Sequence, residues 1–102
     1  MGSVLDRVEE RLGEVGERLT ATTGGQALCR LDGHMSSAKD LEGRMAVLLE
    51  IRRALRKDPD AVLTGIEQRW RHDLESRRAR GASQAWISYL SGGVAEIEAL
   101  LG

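Results

Sequence analysis

Residues 38–57, AKDLEGRMAVLLEIRRALRK, decide the fold of this chain. At about 100° per residue, Ala38, Leu41, Met45, Leu48, Leu49, Ile51 and Leu55 fall on one broad arc. Val47 and Ala54 widen it to roughly 200°, beyond the single stripe of a surface helix. A helix with so wide an apolar face touches more than one neighbour. The stretch therefore reads as the central helix of a small bundle. Arg52 is the exception inside the arc, where it either snorkels past the core edge, pairs with a buried carboxylate or serves an interface.

The flanking sequence supplies the neighbours. Residues 3–21 open with Ser3 and Asp6 in capping-box spacing, and Leu5, Val8, Leu12, Val15 and Leu19 repeat at intervals of three and four. That seam spans little more than two heptads, short of a sustained coiled coil, so packing on its own bundle is favoured over pairing with another chain. Gly13 and Gly16 weaken it. Downstream, Asp58 and Pro59 suit the N-cap and first position of a helix over 59–80, with Leu63, Ile66, Trp70 and Leu74 as its core stripe and Val62 alongside. Gly81 is its natural stop. A connection this short predicts an antiparallel hairpin of the second and third helices. A last helix over 82–101 places Trp86, Leu90, Gly93, Ile97 and Leu100 on one seam, with Tyr89, Val94 and Leu101 beside it. Gly92-Gly93 marks a kink, a break or a close backbone approach.

Between the first two helices, residues 22–37 are rich in Thr, Gly and Ser and read as a long loop, with Ser37 and Asp40 starting the central helix. Loops this long are uncommon without a role, so this is the first place to look for a binding function. The expected fold is thus all-α: a single domain, residues 1–102, forming an up-down antiparallel four-helix bundle with that loop between helices 1 and 2.

Composition narrows the function. Formal net charge is −1, which argues against a dedicated nucleic-acid binder and against a polybasic membrane anchor. One cysteine, Cys29, leaves no disulfide framework, and no apolar run resembles a signal peptide or a membrane span. A cytoplasmic setting is expected. The aromatic residues are few: Trp70, Trp86, Tyr89 and no Phe.

Chemistry-bearing motifs are thin. Cys29, Asp32 and His34 lie close in sequence, but one Cys with one His is not a zinc signature, and no orienting third group marks a nucleophile. His72 and Glu75 form one H-x-x-E pattern, whereas di-iron bundles repeat E-x-x-H on two helices. No catalytic residue, metal ligand or cofactor is assigned, and the chain is not expected to be an enzyme.

The basic end of the third helix is the sharpest candidate. Five arginines, Arg69, Arg71, Arg77, Arg78 and Arg80, stand against Asp73 and Glu75, a surplus of three. They suit a solvated face or an acidic protein partner ahead of nucleic acid. Leu100 and Leu101 at the C-terminal end are expected to dock on a core or on a partner. The expected function is a small protein–protein interaction module, self-associating or docking on a larger protein, as in a structural, accessory or regulatory component of a bacterial or phage system. The alternatives are a nucleic-acid-associated regulator using residues 69–80, and a small helical enzyme with its site under the 20–37 loop. No membrane partner is expected.

Overall fold

The computed structural model describes residues 3–23 and 31–102, and of 22, 23 and 31–36 the backbone alone. Four helices account for most of it: α1 (Val4–Thr23), α2 (Leu31–Lys57), α3 (Thr64–Ala79) and α4 (Gln84–Leu101). No strand occurs among the described residues. None of these helices is long and apolar enough to cross a membrane.

The start of α1 is written in its first four residues. Ser3 Oγ accepts from the Asp6 amide at 3.1 Å, and Asp6 Oδ2 accepts from the Ser3 amide at 3.2 Å. This reciprocal capping box satisfies two amides that the helix itself leaves without a partner. Along α1 the seam is used internally: Val8 and Val15 are fully buried, and Leu5, Leu12 and Leu19 pack against the core.

The central pair is α2 and α4. They make the most extensive backbone packing in the molecule, with α1 lying on α2 and α3 on α4. Glycines make the close approach possible. A Cβ built on Gly43 would overlap the carbonyl oxygen of Tyr89, and one built on Gly92 would overlap that of Asp40. Each helix thus presents a bare backbone to the other, and Gly92-Gly93 is this crossing point, since α4 runs through it unbroken. Gly93 faces the Trp70 ring instead. Around the crossing, Leu41, Val47, Leu48, Ile51 and Leu55 of α2 meet Leu90, Val94, Ile97 and Leu100 of α4 in one core.

Four sequence expectations change. The 22–37 loop contracts, because α1 runs to Thr23 and α2 begins at Leu31, not Ala38. Ser and Gly cost a helix only fractions to about 1 kcal/mol each, and a turn added to an existing helix needs no new nucleation. The readings placed on Cys29 and on the side chains of Asp32 and His34 lie outside the described residues.

Second, α3 starts at Thr64 instead of Pro59. Asp58 does cap, but it caps a turn: its Oδ1 accepts from the Asp60 amide at 3.0 Å and its carbonyl from the Ala61 amide at 2.9 Å. Leu63 then turns into the core, leaving Val62 outside at 79% exposure rather than beside the stripe.

Third, α3 seats its backbone on α4 and not along α2, so the chain order is not the packing order. The hairpin argument used connection length alone, whereas Trp70 finds its flat seat on Gly93 of α4.

Fourth, the carboxylate that Arg52 meets is exposed and not buried: its Nη1 lies 3.2 Å from Oε1 of Glu9 on α1, so it ties two helices at the surface. Gly81, with φ of +70°, ends α3 as its position predicts.

Candidate functional site

Two constellations bring charged or aromatic side chains together from distant parts of the sequence. The first is an ion-pair cluster. Glu96, in the second half of α4, is 2% exposed and lies between Arg11 of α1 and Arg44 of α2. Arg11 Nε and Nη2 donate to its two carboxylate oxygens at 2.7 and 2.8 Å, and Arg44 Nη1 donates to Oε1 at 3.0 Å. Arg44 Nε donates in turn to Asp40 at 2.7 Å. Burial pushes the Glu96 carboxyl up, but the hydrogen bonds and charges of the two arginines more than offset this and hold it below its ordinary value. The Arg11 guanidinium is raised, chiefly by its hydrogen bond to Glu96. For Arg44, burial opposes the charge and the bonds to Asp40 and Glu96 overcome it. The Glu96 carboxylate is bonded inside the fold, so the cluster clasps α1, α2 and α4, and a recess of about 320 Å³ lined by Arg7, Glu10, Arg11, Glu96, Ala99 and Leu100 lies against it.

The second constellation is open. All three aromatic residues of the chain converge where α3 crosses α4. Trp70 and Tyr89 stack with ring centroids 5.8 Å apart and 24° between planes. Trp86 meets Tyr89 edge-on at 5.9 Å and 77°. Helical spacing brings this about: Trp86 and Tyr89 are three apart on α4, Gly93 is four further on, and Trp70 lies across both. Trp70 is buried and anchored, its Nε1 donating to Glu50 of α2 at 3.0 Å. Trp86 is 45% exposed, with the Arg77 guanidinium 4.4 Å from its ring centroid.

These rings border a groove of about 540 Å³, lined also by Glu50, Arg69, His72, Asp73 and Arg80. A smaller recess of about 360 Å³ is lined by Lys39, Ala85, Trp86 and Tyr89. Trp86 therefore stands between two concavities. His72, Asp73 and Ser76 share one rim of the larger groove, but no hydrogen bond joins them into a proton relay among the described residues. No group of three His, Cys, Asp or Glu suited to a metal ion occurs among the described residues either.

The arginines singled out from sequence separate by partner. Arg69 is ion-paired with Glu50 and lines the aromatic groove. Arg71 points elsewhere, to Glu67 at 2.9 Å and to Glu98, and these carboxylates raise its pKa. Arg77 pairs with Asp73 at 3.5 Å while covering Trp86. Arg78 and Arg80 have no ion pair among the described residues. Arg80 faces the aromatic groove, and Arg78 faces a separate one with Ile87 and Ser88. Leu100 belongs to the chain's own core at 5% exposure, and Leu101 is 40% exposed.

Sequence reading missed the convergence, assigning Trp70 and Trp86 to two separate core stripes. The available signal was that every aromatic falls within residues 70–89, on either side of one turn. It also passed over Glu96, a lone carboxylate between Val94 and Ile97 on the apolar seam. No family model, curated protein sequence or solved structure matches this chain.

Proposed function

We propose that this chain is a protein–protein interaction module that engages its partner through the α3–α4 groove, with Trp86 as the anchor and without catalysis of its own. The observation that carries this reading is the half-exposed Trp86, in contact with Tyr89 and Arg77 between two concavities. Trp, Tyr and Arg are the residues that dominate binding energy at protein interfaces, because they combine large apolar area with few rotors and a polar tip. Leaving such a ring half in water has a cost of roughly 25 cal/mol per Å² of apolar surface, which a partner recovers.

Nucleic-acid recognition draws less support. Three of the five arginines, Arg69, Arg71 and Arg77, are engaged with Glu50, Glu67, Glu98 and Asp73. Phosphate binding relies on uncommitted cations, and the whole chain carries −1.

The test is to pan a random peptide display library against the full chain and against Trp86→Ala. Enrichment of peptides that bind the wild type and not the variant supports the reading. Equal enrichment on both proteins, or none on either, overturns it.

A further inference from the structure

We infer that the segment seated against Trp86 is acidic: a protein stretch with one large apolar side chain flanked by Asp or Glu. This rests on the groove being a protein-docking surface, and it adds the chemistry of the partner. The argument is charge complementarity. The carboxylates bordering the rings are already engaged: Glu50 accepts from Trp70 and pairs with Arg69, and Asp73 pairs with Arg77. One cation of the groove is not matched. Arg80 faces it with no ion pair among the described residues, whereas Lys39 at the smaller recess is paired with the part-buried Glu42, 3.2 Å away on its own helix.

The position of Trp86 adds the same sign. It lies in the first turn of α4, a turn with no acidic residue, and its amide is the one held by the Ser83 N-cap at 3.4 Å. The partial positive charge of that helix end thus lies beside the anchor with no carboxylate in its own first turn. An apolar side chain against the ring, with carboxylates reaching Arg80 on one side and Lys39 on the other, satisfies the apolar and the charged surface together.

The sequences enriched in the Trp86-dependent panning decide the matter. Asp and Glu are expected to be over-represented beside a single aromatic or aliphatic position. The strongest such peptide is then synthesised with a fluorophore and titrated by anisotropy. Arg80→Gln and Lys39→Gln are each expected to weaken it about threefold, in line with exposed ion pairs, and affinity is expected to fall as salt rises. Arg80→Lys should retain most of the binding. Trp86-dependent peptides that are neutral or basic overturn the acidic partner and leave the docking surface standing. Absence of any Trp86-dependent peptide overturns both. Light scattering that finds a wild-type dimer, dissolved by Trp86→Ala, assigns the groove to a second copy and also overturns the inference. Displacement of the peptide by a single-stranded oligonucleotide at lower concentration overturns it in favour of nucleic acid.

Discussion

Arg11 grips Glu96 edge-on, its Nε and Nη2 each within 2.8 Å of a different carboxylate oxygen, and so joins the first helix to the last. Because Glu96 is almost wholly buried, its charge depends on Arg11 and Arg44. Removing one member of a buried pair strands the other, which costs more than the pair's net worth. Glu96→Gln keeps the shape and loses the charge. It should destabilise the fold by about 3 kcal/mol, the lower end of the usual range since both arginines touch water. Glu9→Gln, at the exposed Arg52 pair, should change it by less than about 1 kcal/mol. Urea denaturation of the three proteins measures both.

The same clasp sets an acid limit. The Glu96 carboxyl is lowered from its ordinary 4.5 in the folded chain. The unfolded chain therefore takes up this proton first as pH falls, so the stability Glu96 contributes is complete above 4.5. It is lost as pH descends from there through the folded value. Wild-type urea midpoints should drop over that interval more steeply than those of Glu96→Gln. Parallel pH profiles for the two would remove Glu96 as the cause.

Gly43 and Gly92 make opposite predictions from Gly13 and Gly16, although all four are helical. At the first two, a methyl group meets a carbonyl oxygen of the facing helix, and backbone cannot step aside as a side chain does. Gly43→Ala and Gly92→Ala should each cost about 3 kcal/mol through forced separation of α2 and α4. At Gly13 and Gly16 nothing lies within 4 Å of the added Cβ. Alanine there should stabilise by about 0.8 kcal/mol, from helix propensity alone. Thermal melts of the four variants check the reversal of sign.

These glycines also show where sequence reading reaches its limit. The periodicity of residues 38–57 located the central helix, and the Ser3–Asp6 box and Gly81 located two helix ends, because each is a local signal with a local cause. Which helix lies on which is not local. A short connection argued for α2 beside α3, yet the bare backbones of Gly43 and Gly92 bring α2 to α4. Val62 and Trp86 fit the apolar periodicity of their segments and nonetheless lie outside. Periodicity assigns a side chain to a face, and only the partner helix decides how far along the element that face is covered. The arginines were legible as a cluster, but their division between carboxylates and solvent depended on Glu50 and Glu98, which stand 19 and 27 residues from Arg69 and Arg71.

Trp70 and Trp86 should separate cleanly in experiment, since one ring supports the fold and the other is half in water. Trp70 is 9% exposed, covers Gly93 and donates to Glu50, so Trp70→Ala leaves both a cavity and an unpaired carboxylate oxygen. A loss of about 4 kcal/mol is expected. Trp86→Ala removes a ring that contacts only Tyr89 and Arg77 among the rings and cations described, and about 1 kcal/mol is expected. In the wild type, acrylamide should quench two emitting populations. Trp86→Phe should abolish the accessible one, and Trp70→Phe the protected one. Binding of a Trp86-dependent peptide should shield the accessible population alone. A bound peptide that leaves the accessible population unshielded would place the anchor elsewhere than Trp86.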